Sequence, residues 1–561
     1  MTRRPLADLI GAENIVLRAA PADTASPPPR GRRGGDLAIA GAYEGASRLS
    51  REVALWTPPL RSADADILDE MDTANGRARD VLRNDAYIHA GEHMHRDGVV
   101  GGYYMLNAKP NMRALGMAED EVWETEFQEE VEAKWSLYAD SHDCWIDASR
   151  RQTFTGLVRL AVGVYLASGE VLATSEWLRG GGRPYHTAIN MIESERLSNP
   201  SFGASYGRLR GGILHDRYGA PLTYYIRDSH PSDIAMLENE WTWTAYPARL
   251  RFGRERVIHI MEQSRIAQSR GVTELVHALK EMKTTKQFRD IMLQNAVVNA
   301  TFAASIESEI PAQAYEALGG GDSDPLIDYA ENYLGAVSDY AGGARSLTLD
   351  GVRIPHLFPG QKLQLRPAGA NGPLGTDFES SLLRYIAADL GVSYEELSGD
   401  FTKTNYSSGK MGALRTQKRM TARKVMVADR FATSAYRGWF EEVVNAGGFE
   451  TMKGRPDFYA DPLNKDAYCS CDWIGASRGQ IDELKETQAA MLRVTNNLST
   501  LEDELGKMGK DWRKVLRQRK REKEAIDAAG LAPPEDNRMS NSITGAPRES
   551  RDQEGAGNGD E

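Results

Sequence analysis

The sequence predicts an α+β protein built as more than one lobe. Three observations carry that expectation. The chain has 561 residues, whereas single hydrophobic cores stop growing at roughly 250–300 residues. Extended, aromatic-rich runs bounded by turn residues gather between positions 222 and 261. From Gly271 onward helical patterns dominate, interrupted by Gly and Pro clusters. Hydrophobic residues make up 41% and charged residues 26% of the chain, an ordinary globular balance that supports a sizeable core.

Residues 1–50 are rich in Pro, Gly, Arg and Ala, and the run Pro27 to Gly35 holds too little apolar surface for a core. It reads as a flexible basic arm. The polar stretch 531–561, opening on Pro533-Pro534, reads as a matching disordered tail. Order is expected from Trp56. Met71 to Met94 reads as one long helix and Phe154 to Leu166 as a buried apolar segment. His215 to Pro221 reads as a turn leading into a strand at Leu222–Ile226, and Val257–Met261 as a further strand.

Gly271 to Ile310 then reads as a nearly continuous helix ended by Pro311, followed by Gly319-Gly320-Gly321 and a second helix from Pro325 to Tyr340. Two helices around a short Gly-rich insertion make a helical hairpin. Ser346–Leu349 and Lys362–Leu365 read as extended. A helix from Asp377 to Leu390 is stopped by Gly391, an irregular stretch covers Ser398 to Ser408, and a long helix runs from Lys410 to Ala446. The final helix is expected from Asp482 to Ala529, with a dense basic run at Arg513 to Lys523. No internal repeat is present.

Charge and cysteine content narrow the function classes. A net charge of -12 disfavours a protein that wraps nucleic acid tightly, yet suits a conduit whose cations are concentrated locally. Three cysteines, Cys144, Cys469 and Cys471, make no disulfide framework and no four-ligand zinc site. No secretory segment and no run of about 20 clean apolar residues is read in the chain, so it is expected to be soluble and cytoplasmic when made.

Several motifs suggest chemistry and lack its context. Gly203-Ala-Ser205-Tyr-Gly207 has the spacing of a serine-hydrolase elbow, but Asn199-Pro200-Ser201 before it and Arg208 to Gly212 after it are not the strand and helix such an elbow needs. His89 and His93 share a helix face near His95, without an H-E-x-x-H pattern, and read as solvated or hydrogen-bonded. Ser408-Gly409-Lys410 resembles the end of a phosphate-binding loop, but Thr404 and Met411 replace required residues. Gly180-Gly181-Gly182 reads as a plain loop.

The local reversal of charge is more informative. Between Lys403 and Arg437 the cations are Lys403, Lys410, Arg415, Lys418, Arg419, Arg423, Lys424, Arg430 and Arg437, against one acid, Asp429. Arg415, Arg419 and Arg423 are spaced to line one helix face. A solvated helix face is one reading. The other is a stripe facing phosphates, which Lys and Arg contact without reading base sequence.

In this same region the chain resembles the lambda-type portal family of tailed bacteriophages. The resemblance is carried by the helix Phe378 to Leu390, then Gly391-Val-Ser-Tyr-Glu-Glu-Leu-Ser398, Asp400, and Asn405-Tyr-Ser-Ser408. Trp56-Thr-Pro-Pro59, Arg77 to Asn84, Asp216 to Tyr224, Val257 to Ile260 and Arg265 to Val272 follow the family in the same order, with Ile266 and Ala267 where Pro and Gly are usual. Glu483 also departs, standing where the family tends to carry Pro.

The resemblance covers about residues 43 to 530 and implies a phage portal fold: an α/β wing at 51–270 and 345–398, helical stem and small clip at 271–344, a tunnel loop at 399–409, and a long helix and crown at 410–530. It implies a homo-oligomeric ring of twelve subunits at one capsid vertex, assembled in the host cytoplasm, for genome packaging, head–tail joining and DNA ejection. The partners it implies are double-stranded DNA, the terminase large subunit, the major capsid protein and head–tail connector proteins, with no membrane, cofactor, metal or catalytic residue. The expected DNA-channel residues are Lys403, Asn405, Tyr406, Lys410, Arg415, Lys418, Arg419 and Arg423. The rival readings are a serine hydrolase using Ser205 and a structural capsid or tail component without DNA contact.

Overall fold

The computed structural model describes residues 44–46, 51–117, 120–200, 203, 205, 207–233, 242–301, 335, 346–349, 352–355, 376–477, 479 and 482–531. The chain divides into two units, Met1–Arg61 and Ser62–Glu561. In the first, a 3₁₀ turn spans Glu44–Ala46; the expected arm otherwise lies outside the described residues, as do the tail beyond Leu531, the Gly-rich insertion after Thr301 and the extended run at 362–365. Everything below concerns the second unit, which is mixed α+β.

It opens with three helices: α1 (Ala63–Ile67), α2 (Met71–Asn84) and α3 (Ala86–Val99). The single helix expected over Met71–Met94 is broken at Asp85. Its extended backbone ends α2, and its carboxylate accepts from the amides of Tyr87 and Ile88, capping α3. Strand β1 (Met105–Ala108) and helices α4 (Glu121–Ala139) and α5 (Phe154–Ser168) follow. Helix α5 is apolar on most faces and is buried accordingly.

Strand β2 (Glu170–Trp177) is central in a three-stranded antiparallel sheet, between β3 (Thr187–Ile192) and β8 (Val257–Met261). Strands β4 (Leu209–Arg210), β5 (Ile213–His215), β6 (Pro221–Arg227) and β7 (Trp243–Pro247) form a separate antiparallel meander. The strands expected at Leu222–Ile226 and Val257–Met261 are β6 and β8.

After a 3₁₀ turn at Glu274–His277, helix α6 covers Leu279–Thr301. Strands β9 (Ser346–Leu349) and β10 (Val352–Pro355) pair as a hairpin. Next come α7 (Thr376–Leu390), α8 (Tyr394–Ser398) and α9 (Tyr406–Arg423). A π turn, Lys424–Asp429, joins α9 to α10 (Arg430–Asn445). Helix α11 (Pro462–Tyr468) leads into β11 (Cys471–Ile474), which pairs with β1 and so ties the late chain to the early one. Cys469 ends α11 instead of joining that strand.

The last helical stretch is three helices, not one: α12 (Glu483–Thr495), α13 (Leu501–Lys507) and α14 (Trp512–Ala528). Left-handed backbone at Asn497 and Gly509 stops the first two. Thr500 and Asp511 then cap the next ones.

Two features lock the unit. An aromatic core joins α4, α5, α10 and β11, with Trp135 edge-on to Phe154, Tyr436, Trp439 and Trp473. Second, the fully buried Glu170 accepts from Arg270 Nη2 (2.6 Å), His259 Nε2 (3.0 Å) and the Gly271 amide (2.8 Å). Burial alone would raise the Glu170 pKa, but the Arg270 guanidinium, with His259, brings it down to about 2. Arg270 also donates to the carbonyls of Ser194, Leu197 and Gly211. The chains approach so closely here that a Cβ on Gly271 would stand 2.3 Å from the Gly169 carbonyl oxygen.

Candidate nucleic-acid interface

The loop expected to face DNA is framed by two capped helices. Ser393 caps α8 in a reciprocal box with Glu396, and Gly399, at φ 70°, ends that helix. Asp400 then folds the chain over: its carboxylate accepts from Thr402 Oγ1 at 2.6 Å and from the Thr402 amide at 3.0 Å, which holds its pKa below the ordinary value. Asn405 caps α9 in a box with Ser408, so the irregular segment runs from Gly399 to Asn405 and the helix begins four residues earlier than Lys410. Thr416 fastens α9 to α8, donating to Glu396 and accepting from the Ser393 amide at 3.1 Å.

This frame sorts the expected contact residues. Lys403 and Tyr406 are exposed on the loop and first turn. Asn405 spends its side-chain oxygen on the helix cap. Lys410 is half-buried, its ammonium 5.7 Å from the Tyr406 ring centroid. Arg415 and Lys418 are exposed, beside Met411 and Leu414 on the same solvent face. Among the described residues, Lys403, Arg415 and Lys418 make no ion pair.

The other half of the expected stripe is engaged with Glu274, Arg419 from an exposed position and Arg423 from the core. Arg419 lies 3.3 Å from Glu274 Oε2 and packs over Gly391, where a Cβ would stand 2.9 Å from the arginine Cγ. The Arg423 side chain is 1% exposed. It donates to the same Glu274 oxygen and, through Nη1, to His95 Nδ1 at 2.9 Å. His95 Nε2 in turn donates to the Leu390 carbonyl at 2.9 Å, leaving Nδ1 as an acceptor. Burial, then the charge of Arg423, pushes the His95 pKa to about 3. The expectation that Arg423 faces phosphate is therefore corrected: the i, i+4, i+8 face turns from solvent at Arg415 into the core at Arg423, where Glu274 neutralises the charge.

Two features were missed in the sequence. The π turn was not foreseen, although the i, i+5 pair Lys424–Asp429, at 2.7 Å, matches the wider π repeat. Asp429, the lone acid of the basic run, also accepts from the Tyr104 hydroxyl. Glu274 carried no local signal, being 149 residues from Arg423.

Ser205 is no elbow nucleophile. It is exposed in a loop running into β4, and its Oγ accepts from Gly211 N at 3.2 Å and Asn199 Nδ2 at 3.3 Å. No helix among the described residues is long and apolar enough to cross a membrane.

A family model described as phage portal protein, lambda family, matches residues 49–424. Portal protein B of Escherichia phage lambda is 34% identical over 497 residues, 88% of this chain and 91% of that protein. The portal protein of Escherichia phage N15 is 34% identical over 497 residues, 88% and 92% of the two chains. Among solved structures, a chain from the neck of an empty gene transfer agent particle aligns with a TM-score of 0.38 at 12% identity, over 77% of this chain and 92% of that one.

Proposed function

Because this chain belongs to the lambda family of phage portal proteins, we propose that it forms the DNA conduit of the capsid, with the Gly399–Asn405 loop and the exposed side of α9 lining the channel. It is a virion structural component and not an enzyme. In this reading twelve copies close into a ring at one capsid vertex. Residues 51–270 and 345–398 form the wing, 271–344 the stem and clip, 399–409 the tunnel loop, and 410–530 the long helix and crown. The terminase large subunit docks on the clip during packaging and gives way to head–tail connector proteins, while the wing meets the major capsid protein.

The observation that carries the channel assignment is the set of exposed cations, Lys403, Arg415 and Lys418, that have no ion pair among the described residues, on a capped loop and helix of a chain with net charge -12. Repeated around a ring, they give many weak phosphate contacts that restrain DNA without reading its sequence. Tyr406 adds a flat face beside Lys410. Arg423 contributes by holding α9 against Glu274, just before α6, and so fixes where the free cations stand.

The test is DNA content and retention in particles carrying Lys403→Ala, Arg415→Ala and Lys418→Ala together. Lower retention, with the loss growing at higher salt, supports the reading. Wild-type packaging and retention at every salt concentration overturns the channel assignment.

A further inference from the structure

We propose that His89, Glu92 and His93 form a binding site for a divalent first-row transition metal, with Zn(II) the best-matched ion. The three residues lie on one face of α3, at i, i+3 and i+4, and one ligand atom from each falls within 4.8 Å of the others. The two imidazole Nε2 atoms stand 3.2 Å apart. With Zn–N bonds of about 2.0–2.1 Å, nitrogens at that separation subtend roughly 100° at a shared ion, near the tetrahedral angle. The rings meet edge to face at 72°, with their centroids 4.6 Å apart.

Without a metal, that approach is an N–H of one imidazole donating to the lone pair of the other. For a cation to take both lone pairs, the donor ring carries its proton on Nδ1 instead, which leaves both Nε2 atoms free to coordinate. Two imidazoles and a carboxylate are a donor set that suits zinc and its neighbours better than calcium or magnesium.

Glu92 is oriented for the ligand role. Arg96, one turn on, donates to Glu92 Oε1 and so fixes the carboxylate in place. The order His89-Ala-Gly-Glu92-His93 also has the inverted H-x-x-E-H spacing, in which two histidines one helical turn apart are a zinc-ligand pair; Glu92 joins them as a ligand here on distance. His95, two residues on, points elsewhere and is committed to Leu390 and Arg423.

The site opens onto solvent and a cavity. His93 lines a cavity of about 1140 Å³ that also takes residues from α9, α12 and α13, among them Lys410, Glu486 and Lys507. The fourth coordination position is therefore accessible to water or to a group entering from that side.

The test uses the full chain without a polyhistidine tag, titrated with Zn(II) by calorimetry and with Co(II) by visible absorbance. Wild type is expected to take up one ion per chain, with a Co(II) band of tetrahedral type. His89→Ala and His93→Ala should each weaken uptake by about tenfold or more, and Glu92→Gln by less. His89 is exposed, so His89→Ala keeps the fold, and unchanged far-UV circular dichroism confirms it. Absence of Zn(II) uptake by wild type at sub-millimolar concentrations overturns the proposal, as does full stoichiometry and affinity in the His89→Ala, His93→Ala double variant.

Discussion

Replacing Arg423 with alanine separates the structural arginine from the exposed ones on the same helix. Its side chain is 1% exposed and its partner Glu274 is 16% exposed. Removing one member of such a pair costs about 3–5 kcal/mol, because the other charge is left buried. Arg419 still lies 3.3 Å from Glu274, which places this case at the lower end, about 3 kcal/mol. The unpaired His95 Nδ1 adds roughly 1 kcal/mol. Arg415→Ala, at an exposed position, should change stability by at most about 0.5 kcal/mol. Urea unfolding followed by tryptophan fluorescence reads the difference as a midpoint shift at unchanged slope, with both variants at one protein concentration. The Arg423→Met, Glu274→Met double variant removes both charges and should recover most of the loss. Equal midpoints for Arg423→Ala and Arg415→Ala would refute the clamp.

Three further outcomes follow from the same geometry. His95, at about 3 in the fold against an ordinary 6.5, stays neutral where the unfolded chain takes up a proton. Its contribution is complete above pH 6.5 and declines as pH falls toward 3, amounting to about 2 kcal/mol lost at pH 5; paired urea titrations at pH 7 and 5 should show that loss shrinking in His95→Gln. Glu170→Gln should destabilise the chain by roughly 3–5 kcal/mol, since it leaves Arg270 buried without its counter-charge, and calorimetry should show a lower transition temperature. Asn405→Ala removes the α9 cap and should cost about 1 kcal/mol, with faster hydrogen exchange at Tyr406 to Ser408.

Local signals carried the sequence reading far at some elements. Gly391, at φ 71°, ends α7 where expected, and an aromatic extended run after turn residues and a β-branched apolar run placed β6 and β8. The breaks at Asp85, Asn497 and Gly509 were overlooked because a charged helical pattern continues on both sides; only the caps at Asp85, Thr500 and Asp511 mark them. In the candidate interface, spacing placed Arg415, Arg419 and Arg423 on one face but said nothing of what that face meets. The answer depends on Glu274 and on His95, the latter 328 residues from Arg423. A periodicity within one helix holds no record of such partners, so burial at Arg423 was illegible while exposure at Lys403 was not.

The most direct test of the central claim is a class-averaged electron micrograph of the purified full-length protein. The expected result is closed rings with a central channel wide enough for one DNA duplex and narrower than two, with α9 at its wall. Particles that remain monomeric, or rings whose channel is far wider than a duplex or walled by other elements, would contradict it.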